Sequence, residues 1–296
     1  MSFQIQHSKK NSKVVAISNE ISTAKIALHQ GASIQELMLN SKKIIQNISP
    51  LSYEQTYASS ILFPFTNRIK DGKYTFDGIA YQTEINHVSE QNALHGFVYD
   101  KEFYIVNEFT NEEKASILLE YNETKRTKGF PFTYTIQLEY VLTNTSLVLH
   151  VKVKNTSNKV FPFTLGWHPY FVSSSLYDST LKFDSNKQVV FDERMITEGA
   201  VNYENEDVFE IIDKKLDDCF FLNSNTIEFI TPHYKLDILS SNNNDFLQVY
   251  TPPKDNTIAI EPTTGVSNSF NNEIGLKTLN PNEDYEITWQ LHVTSL

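Results

Sequence analysis

The sequence predicts an all-β protein in which large, mostly antiparallel sheets pack face to face. Apolar residues recur mainly with period two, as on half-buried strands. Tight-turn signals separate these runs, and long helical periodicity is hard to find anywhere in the chain.

In chain order, the first strands are expected at residues 13–18 and 24–28. A hairpin follows, with Asp77-Gly78 between Lys73-Tyr74-Thr75-Phe76 and Ile79-Ala80-Tyr81-Gln82; Asp-Gly tolerates the positive φ angles of a type I′ turn. Residues 115–121 form the next candidate. Tyr134, Ile136, Leu138, Tyr140 and Leu142 then alternate with polar residues, turn at Thr143-Asn144-Thr145-Ser146, and return through Leu147, Leu149, Val151 and Val153 as a second hairpin. Further strands are expected at 226–230, 246–250 and 257–260. The last runs through Tyr285, Ile287, Trp289, Leu291 and Val293, which alternate with Glu286, Thr288, Gln290 and His292. No Gly/Ser-rich or Pro-rich linker and no fixed-length repeat interrupts the series, so residues 1–296 are expected to form one domain.

Hydrophobic residues make up 40% of the chain and aromatics 12%, with 20 Phe and 15 Tyr, enough apolar bulk for a substantial core. The formal net charge of -11 is spread along the chain and repels nucleic acid or an anionic membrane at long range, which leaves a neutral partner. Residues 1–13 lack the continuous apolar run of a signal peptide, and no stretch reaches the roughly 18 apolar residues of a membrane helix. A single cysteine, Cys219, allows no intrachain disulfide, and a cytoplasmic location is the expectation.

Nucleophile-elbow, phosphate-loop and dinucleotide signatures are missing. The eight histidines include no His-x-His or His-Glu-x-x-His pair, so no metal is indicated. Polar islands set in apolar sequence remain. Phe63-Pro64-Phe65-Thr66-Asn67-Arg68-Ile69 leads through the Asp-Gly hairpin to Leu94-His95-Gly96. Arg68, one of three arginines, needs a partner in such surroundings, either a carboxylate in a structural ion pair or ligand hydroxyls facing its fork of donors. In Leu165-Gly166-Trp167-His168-Pro169-Tyr170-Phe171, glycine and proline mark irregular backbone. His168 there is either a satisfied core residue or part of a pocket walled by Trp167, Tyr170 and Phe171. Lys215-Leu216-Asp217-Asp218-Cys219 reads alone as a solvated turn. In Ile258-Ala259-Ile260-Glu261-Pro262, a glutamate ends an apolar strand, and the proline after it is expected to take the chain out of the sheet toward a cleft.

Taken together and in order, these islands resemble the aldose 1-epimerase, or galactose mutarotase-like, family. The resemblance rests on Asn67-Arg68-Ile69, Leu94-His95-Gly96, Gly166-Trp167-His168-Pro169-Tyr170-Phe171, Leu216-Asp217-Asp218-Cys219-Phe220, and Glu261-Pro262 with Asn268-Ser269-Phe270-Asn271. It implies a β-supersandwich with an open cleft for a hexose, acting as a monomer or homodimer on a small sugar and without a cofactor. Glu261 matches the catalytic base and His168 the catalytic acid. Asn67, Arg68 and His95 match substrate-binding positions, and Asp217, one residue from the equally acidic Asp218, matches the acid that holds a ring hydroxyl. The Gly-Trp-His-Pro-Tyr-Phe form is similar to a divergent bacterial branch, so the preferred sugar stays open.

Anomer exchange needs a base to take the C1 hydroxyl proton while an acid protonates the ring oxygen. Reclosure runs both transfers backwards, and each positioned group typically supplies about 100- to 10,000-fold. From reference values Glu261 is expected ionised, with a nearby carboxylate raising His168, and the two are expected to face each other across a sugar-sized gap. Rival readings are a hexose 6-phosphate epimerase using cations such as Lys70 or Lys73, a noncatalytic sugar-binding sandwich, and a glycoside hydrolase using Asp217 and Glu261.

Overall fold

The computed structural model describes residues 2–8, 13–204, 208–212, 215–243 and 245–296. Its spine is a 15-stranded sheet. Along one path the order is Tyr104–Thr110, Ala115–Glu123, Tyr134–Leu142, Ser146–Asn155, Asp284–Ser295, Tyr234–Ser240, Asp217–Ile230, Phe246–Tyr250, Thr257–Thr263, Gly166–Trp167 and Ile61–Leu62. A five-stranded antiparallel sheet carries Gln4–His7, Val14–Ser18, Thr23–Ala27, Ser33–Leu39 and Lys42–Ile45. Helix among the described residues is confined to single turns at Tyr53–Thr56, Leu176–Asp178 and Ser269–Asn272. None is long and apolar enough to cross a membrane.

The alternation written in the sequence is the alternation seen. Tyr134–Leu142 buries every second side chain and pairs with Ser146–Asn155 across the expected turn. The Asp77-Gly78 hairpin forms with φ of 49° and 71° at its two corner residues, both in the left-handed region that a type I′ turn requires. A contiguous apolar cluster runs from Phe3 to Val293. Within it Trp289 of the last strand stacks on Trp167, with ring centroids 6.3 Å apart.

Two strands run further than their apolar stretches. Residues 226–230 are the end of a strand that begins at Asp217, and the strand from Thr257 passes through Glu261 and Pro262 to Thr263. The chain therefore does not leave the sheet at Pro262. Ile260 donates to Pro169 O at 3.3 Å, and two residues on, the nitrogen of Pro262 faces the same side. The register is the same on either side, Gly166 opposite Thr263 and Tyr170 opposite Ala259, so Pro262 stands opposite Trp167 and the ladder simply lacks one donor there.

Candidate active site

The sheet builds one wall of the site by register. Asp217 lies opposite Tyr250, and Gln248 lies opposite Glu261, so Asp217, Gln248, Tyr250 and Glu261 share one face across three adjacent strands. Asp218 falls on the other face, where it accepts a 2.7 Å hydrogen bond from Gln188. The period of two thus separates the neighbouring aspartates and puts Asp217 alone into the cavity.

The segment around His168 is fixed by backbone and by space. His168 N donates to Ser60 O at 3.0 Å, and Ser59 N donates to His168 O at 2.8 Å. A Cβ on Gly166 would lie 2.8 Å from Thr66 Cγ2 and 2.9 Å from Thr263 Cγ2, so only glycine lets these chains approach. Trp167 and Phe171 turn into the core, while His168 and Tyr170 point the other way and stack with centroids 5.0 Å apart; of the expected aromatic wall, only Tyr170 lines the cavity. Asn67 precedes the short strand Arg68–Lys70 and His95 follows its partner Asn92–Leu94; both hold positive φ, 53° and 62°, and a 2.8 Å bond from His95 N to Asn67 O ties them.

Asn67, Arg68, His95, His168, Asp217 and Glu261 all line one cavity of about 480 Å³, within the usual range for small-molecule sites. Arg68 has a carboxylate partner that the sequence did not mark. Its Nε and Nη2 reach Glu90 Oε2 and Oε1 at 2.5 and 3.1 Å, and Nη1 donates to Asn67 Oδ1 at 2.8 Å. The ion-pair reading of Arg68 is the one seen, and the paired guanidinium also faces the cavity. Gln248 was also missed. It donates to Asp217 Oδ1 at 2.7 Å and accepts from Asn67 Nδ2 at 3.5 Å, linking two cavity-lining groups. Its position as the one amide in Phe246-Leu247-Gln248-Val249-Tyr250 was the available signal, because a polar residue in a buried strand needs polar company. Glu90 lies in a polar loop and carried no such signal.

His168 Nε2 lies 3.4 Å from Glu261 Oε1, with the two residues 5% and 3% exposed. This replaces the expected sugar-sized gap with direct contact. The shifts also run against expectation. Burial, reinforced by the charge of Asp217, pushes the Glu261 carboxyl well above the usual range. Burial likewise lowers His168 to about 4, and it drives His95, whose ring is 5.1 Å from that of His168, well below its ordinary value. Asp217 is raised to about 6, again by burial, with Arg68 pulling it back. Desolvation outweighs charge pairing, so burial favours the uncharged form of each.

The antiparallel supersandwich is the fold of galactose mutarotase-like proteins. A galactose mutarotase-like protein from Clostridium acetobutylicum superposes with a TM-score of 0.88 at 19% identity, covering 100% of this chain and 99% of that one. The galactose 1-epimerase of Lactobacillus acidophilus gives 0.81 at 17% identity, covering 99% and 98%. The chain belongs to the aldose 1-epimerase family, whose model matches residues 13–292. Among curated relatives, the uncharacterized Escherichia coli K12 protein YihR is 23% identical over 88% of this chain and 87% of its own length. Rattus norvegicus galactose mutarotase is 26% identical over 50% of this chain and 43% of its own.

Proposed function

We propose that this protein interconverts the α and β anomers of a free aldose by general acid/base ring opening and reclosure, with Glu261 and His168 as the proton-transfer pair. The observation that carries this reading is the 3.4 Å contact of the two side chains, both buried, on the wall of a sugar-sized cavity. The pair needs only one proton between its members. Burial favours the proton on Glu261, and one hop to His168 Nε2 gives a carboxylate base and an imidazolium acid. From there Glu261 takes the C1 hydroxyl proton while His168 protonates the ring oxygen, the C1–O5 bond opens, and rotation about C1–C2 exposes the other carbonyl face. Reclosure returns both protons. The contact is longer than an ordinary hydrogen bond, as is common before substrate tightens a catalytic site. Asp217, Asn67, Arg68 and His95 hold the sugar's hydroxyls, with Gln248 orienting Asp217 and Asn67.

The phosphorylated-sugar reading has less support. Lys70 and Lys73 do not line the cavity, and Lys70 Nζ lies 3.6 Å from Asp192 Oδ2. The test is to dissolve pure α-D-glucose and α-D-galactose and follow optical rotation with and without the protein. Mutarotation above the buffer rate is the expected result. No acceleration by wild type, or an unchanged rate in folded Glu261→Gln and His168→Asn variants, overturns the proposal, and release of reducing sugar from a glycoside would point to hydrolysis instead.

A further inference from the structure

Among the described residues lining the cavity, Arg68 is the one lysine or arginine, and Glu54, Glu90, Asp217 and Glu261 are the carboxylates. Glu90 grips the Arg68 guanidinium in the two-pronged geometry that matches carboxylate to guanidinium, with side-chain exposures of 12% for Arg68 and 23% for Glu90. Arg68 can therefore still donate hydrogen bonds from Nη1 and Nη2 to hydroxyls, but its charge is already answered. The loop that brings Glu90 here is itself fastened from a distant turn. Arg194 donates through Nε to Glu90 O at 2.8 Å and through Nη2 to Gln91 O at 3.0 Å, Asn92 Oδ1 at 2.8 Å and Asp71 Oδ1 at 2.8 Å. Asn92 Nδ2 in turn donates to Arg194 O at 3.1 Å. A five-donor side chain used in this way fixes a loop, since each acceptor lies at a different point on it or beside it.

We propose that Glu90 sets the charge selectivity of the cavity: by clamping Arg68 it cancels the fixed positive charge there, so the site takes uncharged aldoses and refuses those carrying a phosphate or carboxylate. Arg194 is the positioning residue that holds Glu90 in place. The inference rests on the aldose reading of the cavity and adds a specificity determinant to it. A sugar phosphate brings one to two negative charges toward carboxylates with no unpaired cation to meet them, and like charges held close are strongly disfavoured in a partly desolvated site.

The test compares wild type, Glu90→Gln and Arg194→Ala, measuring mutarotation of glucose and glucose 6-phosphate and, separately, calorimetric titration with inorganic phosphate. Glu90→Gln keeps the shape and one acceptor for Arg68 but removes the charge. The expected result is a rise of about tenfold in the glucose 6-phosphate to glucose ratio of kcat/KM, with phosphate binding tightened by a similar factor. Arg194→Ala, which keeps both members of the Arg68 pair, should shift both readouts in the same direction by a smaller factor. Equal losses on both sugars with unchanged phosphate binding would make Glu90 a scaffold residue and overturn the proposal. If wild type accelerates neither sugar, the enzymatic reading falls, while the phosphate titrations still decide whether Glu90 masks the charge of Arg68.

Discussion

Asp217 and Asp218 are chain neighbours that face opposite sides of one strand, the first accepting from Gln248 in the cavity and the second from Gln188 on the outer face. Burial raises Asp217 to about 6 against 3.8 for an ordinary aspartate. Between those values the folded protein holds a proton that the unfolded chain has lost, so the stability this group contributes is full below pH 3.8 and lost as pH rises through about 6.

Asp217→Asn should therefore raise the melting temperature at pH 7 to 8, by the equivalent of about 1–3 kcal/mol, and make little difference near pH 4. The same variant should lower kcat/KM by about 10- to 100-fold through loss of a charged acceptor for a hydroxyl. Asp218→Asn should leave kcat/KM unchanged. Thermal unfolding across pH together with mutarotation kinetics checks all three, and equal behaviour of the two variants would contradict the placement.

The pH profile should carry the signature of these burial effects. Activity needs one proton on the Glu261–His168 pair, and a second is added only near the depressed value of His168, about 4. The acid limb of kcat/KM in wild type should thus report Asp217 and fall as pH drops through about 6. In Asp217→Asn that limb should move toward pH 4. An acid limb that stays in place in the variant would show that another group controls it.

Glu261→Gln and His168→Asn should each lower kcat by about 100- to 10,000-fold. Because the two act as a unit on one proton, the double variant should lose little more than the worse single one. Multiplicative losses would mean the two groups work independently.

Gly166→Ala should destabilise the fold by about 1–3 kcal/mol, since the added methyl meets Thr66 and Thr263 at under 3 Å, and should reduce kcat by displacing His168 two residues on. Gly199→Ala is the control: nothing lies within 4 Å of its added carbon, and stability should change by less than about 0.5 kcal/mol. Paired denaturation curves with turnover measurements test the contrast.

Fold class was legible in the sequence because side-chain alternation is a local property of extended backbone, and residues 134–142 or the Asp77-Gly78 turn need no distant partner to show it. The ordered motifs likewise pointed to the residues that meet in the cavity. The sequence could not show that Glu90 would clamp Arg68 or that Gln248 would stand between Asp217 and Glu261, because strand order and loop placement follow from long-range packing. It also misjudged the direction of the shift of His168, which burial lowers. Reference pKa values describe groups in water, and only the tertiary structure decided that Glu261 and His168 would be withdrawn from it together, where burial favours the uncharged form of each.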